Sequence, residues 1–373
     1  MKRLSFIFII FITFTGISTI RAETDLGTGL HLDWFSSDED DSGMQFYIPI
    51  SASSRYNDLS VELLGAYVYT KVDPSDGSAE SLSAFSDTKL NLHYEVIDRF
   101  AFDMLCSLGF NLPTGHTDLS ADEMTLVIPS DLITISSFGE GFNINPSISL
   151  ARQWEKTIVG IGIGYTWRGG YDYSYAIKDY EPGNILTLTG EIGHELNETW
   201  HGRVFGQHIS YAKDKLDGEN FYQEGRTMVI GCGIDYAQAS WDAGLSLMNI
   251  IRAKSRFREG ATLPSEERNS HGNEIVAGLM YRYFMDELTT LRSSLDYTRI
   301  GENDYDSLSP YYIGKMNKVS LGCGISRVFS ERNIETALDI KGFSMNDGKN
   351  WYHPDQGYRY TGFCLCLAIS KGF

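Results

Sequence analysis

The chain contains few prolines, few cysteines and, after its first 22 residues, no long apolar run. Only 9 of the 373 residues are Pro and 5 are Cys, and the odd cysteine count leaves at least one thiol unpaired in an exported protein. No cysteine belongs to a C-x-x-C pair or to a metal-type spacing with His, so we expect neither a disulfide framework nor a metal site. No stretch beyond residue 22 approaches the roughly 18 apolar residues of a transmembrane helix.

Basic residues are also scarce. The chain has 31 Lys and Arg against 49 Asp and Glu, which gives a formal net charge of −18 at pH 7. A chain this acidic repels phosphate backbones, so nucleic acid is not an expected partner. By contrast, 22 Tyr, 20 Phe and 37 Gly favour an architecture of many strands and turns.

The first residues, MKRLSFIFIIFITFTGISTIRA, have the order of a secretory signal. Two basic residues precede an apolar run, and Ala22 provides a small residue at the end. We therefore predict a signal peptide over residues 1–22, with a retained membrane anchor as the alternative. No Pro-rich or Ser-rich linker divides the remainder, so residues 23–373 are expected to form one domain.

Large apolar and small side chains alternate strictly along the last thirteen residues, TGFCLCLAISKGF. Phe363, Leu365, Leu367 and Ile369 share one face of a strand, while small residues such as Cys364, Cys366, Ala368 and Ser370 share the other. Sixteen segments of this type, each about long enough to cross a bilayer at a tilt, are predicted over 26–35, 44–53, 59–71, 87–96, 100–112, 140–152, 157–168, 185–196, 199–211, 226–237, 240–251, 273–284, 288–299, 317–329, 333–343 and 359–373.

Short and long gaps alternate between these segments. Gaps such as 97–99 and 197–198 are tiny, whereas gaps such as 169–184 and 252–272 are long. The pattern predicts an all-β protein, a transmembrane antiparallel up-and-down barrel with short periplasmic turns and long extracellular loops, in the outer membrane of a Gram-negative bacterium. Segment 199–211 is the least regular, and without it or 26–35 the barrel would have fourteen strands.

The polar face of each strand is expected to line the lumen, where its side chains would set the polarity and the charge preference of the channel. The candidate lining residues are Asp103, Asn143, Asn145, Arg168, Glu191, Arg282, Arg292 and Asp296. At the end of the chain, Phe373 resembles the C-terminal aromatic signature that the bacterial barrel-assembly machinery recognises, so this machinery is an expected partner. The eight histidines fall in no nucleophile motif, and we expect neither an enzyme nor a cofactor.

Loop 113–139 is too apolar for a segment that only contacts water. One interpretation is that it folds back and narrows the lumen where a hydrophobic solute could rest; the other is a cap packed over the barrel mouth without a ligand. The residues that define it are Met124, Leu126, Val127, Ile128, Leu132, Ile133 and Ile135.

The acidic run Asp38–Asp41 lies in the first of the predicted extracellular loops. Such a run is commonly just solvated. The alternative is that its carboxylates share divalent cations with lipopolysaccharide phosphates, since carboxylate oxygens are good ligands for Ca²⁺ and Mg²⁺. Outer-membrane lipid and lipopolysaccharide are expected to surround the barrel in either case.

Three motifs in the middle of the chain resemble a known family. FNLPTG at 110–115, FGEGFNINPSISLARQW at 138–154 and GIGYTWRGGYDY at 162–173 are similar to the outer-membrane barrels associated with the MetA pathway of phenol degradation, which are grouped with fatty-acid-transporter-like channels. The resemblance implies passive uptake of small hydrophobic or aromatic solutes. It supplies no catalytic residue, and the N-terminal plug of the fatty-acid transporters is not evident.

The leading hypothesis is therefore an outer-membrane channel for small hydrophobic or aromatic solutes, narrowed by loop 113–139. The alternatives are a general porin-like channel for polar solutes, and a surface barrel with a structural or adhesive role. The sequence leaves the oligomeric state open.

Overall fold

A computed structural model describes residues 23–75, 77, 79–350 and 356–373. The predicted signal peptide, residues 1–22, lies outside this range. The wall strands are β1 (Glu23–Ser37), β2 (Ser42–Tyr56), β3 (Leu59–Asp73), β4 (Glu80–Phe85), β5 (Thr88–Val96), β6 (Asp103–Leu112), β7 (Asn143–Trp154), β8 (Thr157–Arg168), β10 (Ile185–Glu195), β11 (Trp200–Tyr211), β14 (Thr227–Ala237), β15 (Trp241–Arg252), β17 (Glu274–Phe284), β18 (Thr289–Ile300), β19 (Met316–Phe329), β20 (Ile334–Asp347) and β21 (Tyr358–Gly372).

Smaller elements occupy the long loops. A four-stranded sheet joins β9 (Tyr180–Glu181), β12 (Asp214–Leu216), β13 (Glu219–Gln223) and β16 (Arg256–Phe257), and one helical turn, α1, spans Ala121–Met124. No helix in the described part of the chain is long and apolar enough to cross a membrane.

Each wall strand pairs antiparallel with its neighbours, and the sheet closes on itself. The closing pair is β21 with β1, in register from Gly372 opposite Asp25 to Tyr360 opposite Ser37. Because β4 and β5 together form one interrupted wall strand against β3, the barrel has sixteen strands. Closure removes the two open edges that a flat sheet would have, which is the condition that a bilayer interior imposes; β4, near the long-loop end, pairs only with β3. The predicted all-β barrel is confirmed.

The outer face of the barrel is apolar. Large side chains such as Ile161, Leu245 and Leu367 are about half exposed on this face. At the short-turn rim, the rings of Trp200, Tyr236, Trp241 and Tyr281 form a row with successive centroids 4.7, 4.8 and 5.7 Å apart. An apolar band edged with aromatic rings is the surface that lipid and its interface favour. We call the opposite face of each strand the inner face.

The closing strand follows the predicted parity. Leu367 and Ile369 are exposed on the outer face, whereas Cys366 lies inside, with its sulfur 2.9 Å from His31 Nε2. All five cysteines are free thiols, and Cys232 and Cys323 are exposed on the outer face.

Segment 199–211 is a regular wall strand, so the count is sixteen and not fourteen. β11 pairs along its length with β10 and β14, which turns Val204 outward and Phe205 inward. The inward aromatic ring fits because it lies over Gly231, where an added Cβ would be only 2.3 Å from a ring carbon.

Two predicted loops are shorter than expected. Residues 80–85, placed in loop 72–86 by the sequence analysis, instead form β4, and the first loop shrinks from 36–43 to a turn at 38–41. β4 is hard to recognise because it is rich in Ser and is separated from β5 by Ser86 and Asp87. Its inner residues Leu82 and Ala84 are buried, so tertiary packing stabilises a strand of weak local signal.

Candidate functional site

Loop 113–139, the inner loop, lies against the inner face of the barrel. It enters from β6 and returns to β7, and its contacts reach β1, β2, β3 and β4 on one side and β19, β20 and β21 on the other. These strands are contiguous across the β21–β1 closure. The inner loop therefore covers one side of the inner wall and leaves the strands from β6 to β17 uncovered by these contacts.

The backbone of the inner loop forms hydrogen bonds with side chains of the wall, and not with a neighbouring strand. The fully buried Gln45 accepts a hydrogen bond from Ile135 N and donates one to Ile135 O, both at 2.8 Å. Asp33 Oδ2 accepts from Thr134 N at 2.9 Å, and Lys318 Nζ donates to the carbonyl oxygen of Asp131 at 2.5 Å. Backbone groups buried away from water must be satisfied, and here side chains satisfy them.

Asp87 ties both ends of the inner loop to one carboxylate. It sits at the break between β4 and β5 and is buried. Its Oδ1 accepts from Gly115 N at 2.8 Å, and its Oδ2 accepts from Glu140 N at 2.7 Å and from Asn111 Nδ2 at 2.6 Å. Hydrogen bonds to an ionised acceptor are stronger than neutral ones, so this residue fixes where the loop leaves and rejoins the wall.

The large apolar side chains of the inner loop are packed against the wall. Leu126 meets Tyr47, Val68 and Leu82 in one buried cluster. A second buried cluster combines Ile128, Leu132 and Ile133 with wall residues Phe35, Met316, Met345 and Tyr360. Fully burying a side chain of this size contributes about 1.5–3 kcal/mol, so these contacts hold the loop firmly.

The side chains that the inner loop leaves exposed are mostly polar. They are Pro113, Thr114, Asp118, Ser120, Ala121, Asp122, Thr125, Pro129, Ser130, Thr134 and Ser137. Of the seven apolar residues that define this loop in the sequence, Leu126, Ile128, Leu132 and Ile133 are buried, whereas Met124, Val127 and Ile135 are only partly buried. That these residues narrow the lumen stays a prediction; their observed contacts are with the wall.

The uncovered wall carries small and polar side chains. A cavity of about 350 Å³ follows β7, β8, β10 and β11 and is lined by residues that include Ser149, Gly160, Thr189, Glu191 and Gln207. Small residues at these positions leave free volume beside the wall, and Glu191, one of the predicted lining residues, contributes a charge to it.

Most of the other predicted lining charges have partners that the sequence analysis did not identify. Arg282 Nε donates to Asp242 Oδ1 at 2.7 Å, Arg292 contacts both oxygens of Asp339 at 2.8 and 3.1 Å, and Asp296 pairs with Lys341 at 2.6 Å. The last two pairs span β19, from β18 to β20. No sequence spacing signals a contact that skips a strand.

Three predicted lining residues are uncharged or lie at the rim. Asp103 is the first residue of β6 and accepts from Asp98 N at 2.9 Å in a short turn. Asn143 is buried, and its Oδ1 has no hydrogen-bond partner among the described residues. Asn145 lies opposite Gly109 on the inner face.

Gly324 makes room for one of the strand-skipping ion pairs. A Cβ at this position would lie 1.9 Å from Asp339 Oδ1. We expect Gly324→Ala to displace the carboxylate, weaken its pairing with Arg292 and lower stability by up to about 1 kcal/mol, measured as the thermal unfolding midpoint in detergent. Gly160→Ala is the control, because its nearest neighbour would be 3.9 Å away. Equal midpoints for the two variants would contradict the role of the glycine.

Arg168 lies at the long-loop end of the uncovered wall, beside a group of tyrosines. Its guanidinium makes no salt bridge within the described chain, but it interacts electrostatically with Tyr171 and Tyr180. The rings of Tyr171, Tyr173 and Tyr180 pack with centroids 5.8 to 6.5 Å apart. Burial raises the pKa of Tyr171 to about 12 and raises the pKa of Tyr180 as well, so both phenols stay neutral. Arg168 also interacts electrostatically with the carboxylate of Glu224, without forming a salt bridge with it.

The acidic run Asp38–Asp41 is engaged by neighbouring loops. Asp38 Oδ1 accepts from Arg359 N at 3.0 Å, Glu39 Oε1 from Gln356 Nε2 at 2.8 Å and Asp41 Oδ1 from Ser75 N at 2.8 Å. These carboxylates thus help to hold the rim loops together. Divalent cation binding by the run stays a prediction.

Comparison with known proteins gives one family match. A family model described as "Putative MetA-pathway of phenol degradation" matches residues 15–259, more than half of the chain. No curated protein matches.

Solved structures with the same architecture are outer-membrane barrels. OccAB1 of Acinetobacter baumannii is 10% identical with a TM-score of 0.51, over 94% of this chain and 97% of that one. OccK7 (OpdD) of Pseudomonas aeruginosa is 10% identical with a TM-score of 0.47, over 94% and 99%. A mutant of the TodX monoaromatic hydrocarbon channel is 9% identical with a TM-score of 0.46, over 94% and 90%. At such identities the likeness concerns the fold alone.

Proposed function

Since the chain belongs to the MetA-pathway phenol-degradation family, we propose that it is an outer-membrane channel for small solutes, aromatic compounds among them. The observation that carries the proposal is the inner loop, which the wall binds through both its backbone and its apolar side chains. A closed barrel with an apolar outer face supports a location in the outer membrane of a Gram-negative bacterium. Phe373, whose backbone N–H donates to Thr24 O at 2.8 Å beside the closing strand, is proposed as the signal for the assembly machinery.

The proposed route runs between the inner loop and the uncovered wall. A sixteen-stranded barrel without an obstruction is wide enough for an aqueous channel. With the inner loop bound to β1–β4 and β19–β21, the space that remains follows the small residues of β7, β8, β10 and β11. The inner loop would thereby narrow the lumen, and the wall would supply the other side of the passage.

The chemistry along this route suits small aromatic compounds that carry a polar or anionic group. The exposed residues of the inner loop are mostly polar, so a purely aliphatic solute finds little apolar surface on that side. Arg168 offers a positive charge beside tyrosine rings, a combination that complements an aromatic carboxylate. We propose aromatic acids and phenols as the solute class, and passive diffusion without catalysis as the mechanism.

Liposome swelling separates this proposal from the general porin. Proteoliposomes are assayed in isotonic sodium benzoate and in isotonic arabinose, since a neutral phenol would cross the bilayer without a channel. Faster swelling in benzoate supports the aromatic preference. Faster swelling in arabinose would instead support a general channel for polar solutes, which the polar surface of the inner loop and the ion-paired wall also favour.

We expect Arg168→Gln to lower the permeability of benzoate relative to sodium several-fold. The substitution removes the unpaired positive charge at the mouth of the route, so an aromatic anion loses its attraction there. Reversal potentials in planar bilayers under a sodium benzoate gradient measure the ratio. Arg152→Gln is the matched control, because Arg152 lies over the Trp154 ring near the short-turn rim. An unchanged ratio in Arg168→Gln would remove Arg168 from the route.

A further inference from the structure

A second cavity lies outside the proposed solute route. It has a volume of about 760 Å³ and is formed at the long-loop rim, where β18 ends, β19 begins and β20 ends. Its lining includes Arg299, Lys315 and Lys349 together with the amides of Asn317 and Asn346. We propose that this cavity binds a phosphate group of an outer-leaflet glycolipid.

The position of the cavity on the barrel matches the level of lipid headgroups. Arg299 is opposite Asn317, and Asn317 is opposite Asn346, in neighbouring strands. Tyr297, two residues before Arg299 on the same outer face, donates a hydrogen bond from its hydroxyl to Asn317 Oδ1 at 3.1 Å. Two strand residues span about 7 Å, so Arg299 lies just beyond an interfacial tyrosine, towards the long loops.

The charge of the cavity is favourable for a phosphate. Arg299, Lys315 and Lys349 make no salt bridge with any described residue, although the chain as a whole carries a net charge of −18. Two carboxylates also line the cavity: Glu302, which accepts from the Tyr312 hydroxyl at 2.8 Å, and Asp347, which accepts from Asn350 Nδ2 at 2.7 Å. The three cations exceed these two carboxylates and leave a formal charge of +1 (3 − 2) on the lining. Three unpaired cations around one concavity attract an anion, and each basic group near a membrane surface contributes about 1 kcal/mol to anionic lipid binding.

The backbone brings two of these cations together. Gly314 N donates to Lys349 O at 2.7 Å, and Gly348 N donates to Lys315 O at 3.0 Å. The two loops cross at a glycine pair, where a Cβ on Gly314 would lie 3.1 Å from Gly348 Cα. Because this crossing needs small residues, the backbones of Lys315 and Lys349 are held next to each other before any ligand binds.

Native mass spectrometry of the full-length mature protein in detergent tests the proposal. Three probes are added separately: bisphosphorylated lipid A, the same lipid with both phosphates removed, and inorganic phosphate. We expect lipid A to bind and its dephosphorylated form to bind far more weakly. Equal binding of both lipids overturns the proposal. Binding of inorganic phosphate without binding of lipid A overturns the assignment to a lipid.

Variants locate the binding. We expect the triple variant Arg299→Gln, Lys315→Gln, Lys349→Gln to bind lipid A about a hundredfold more weakly than the native protein. We expect Arg299→Gln alone to bind it about fivefold more weakly, and this single variant tests the site even if the triple variant fails to assemble. The control changes the same charge at the opposite rim: Arg152→Gln, Lys156→Gln, Arg327→Gln. Unchanged affinity in Arg299→Gln, or an equal loss in the control, overturns the assignment. The lipid-site proposal depends on the proposed outer-membrane location but not on conduction. Lipid binding can therefore be absent in a protein that still conducts, and the two proposals are tested separately.

Discussion

Removal of residues 118–138 is expected to raise the single-channel conductance several-fold in planar bilayers. The structure provides a natural junction, because a Cβ on Gly139 would lie 2.8 Å from Thr117 Cγ2. The deletion takes away every buried apolar residue of the inner loop and exposes the inner face of β1–β4 and β19–β21 to water. A sixteen-stranded barrel relieved of such a loop would have a wide aqueous lumen.

A deletion of similar type elsewhere provides the control. Residues 304–311 lie in the loop after β18, between Asn303 and Ile313, which are joined by a backbone hydrogen bond at 3.1 Å. This loop does not contribute to the two buried clusters beside the inner loop. We expect its removal to leave the conductance unchanged. If the deletion of 118–138 also leaves the conductance unchanged, the inner loop does not narrow the route; if neither protein conducts, the channel proposal fails.

Asp87→Ala is expected to lower stability by several kcal/mol and to produce frequent current fluctuations. The carboxylate accepts three hydrogen bonds, from Gly115 N, Glu140 N and Asn111 Nδ2, and a hydrogen bond to a charged group contributes about 1.5–3 kcal/mol. Without it, both ends of the inner loop lose their shared anchor while the apolar clusters remain. The loop would then move between bound and displaced positions.

Two variants give this prediction its controls. Asp87→Asn retains one acceptor oxygen, so its unfolding midpoint should fall between those of the native protein and Asp87→Ala. Asp73→Ala removes a carboxylate whose ion pair with Lys71 is largely exposed, and a change below about 1 kcal/mol is expected. Thermal unfolding in detergent and the variance of single-channel current are the two readouts. A quiet current in Asp87→Ala would show that the apolar clusters alone immobilise the loop.

The anchors of the inner loop illustrate why part of the site could not be predicted. Gln45 and Ile135 are 90 residues apart in the chain, Asp33 and Thr134 are 101 apart, and Lys318 and Asp131 are 187 apart. In the sequence, Gln45 and Asp33 resemble any other polar residue on the inner parity of a strand. Their function as loop anchors depends on which strands become neighbours when the barrel closes.

The lining charges show the same limit. The sequence analysis identified Arg292 and Asp296 as inner residues, and the strand parity agrees. It did not predict that Asp339 and Lys341 form ion pairs with these residues from two strands away. Arg168 differs because it forms no salt bridge with any described residue, although Glu224 interacts with it electrostatically, and only the packing around Arg168 reveals this. Apolar content did identify the inner loop, since a long loop rich in Leu and Ile must bury those side chains somewhere.

The sequence by itself determined the wall strands other than β4, their two unlike faces and the unusual loop, because these depend on neighbouring residues and on whether each side chain meets lipid or water. Leu367 faces outward and Cys366 inward for that local reason. Only the tertiary structure decided where the loop rests, which charges are paired and where the rim cations meet. Those outcomes depend on contacts between residues far apart in the chain, and closing the barrel is what brings them together.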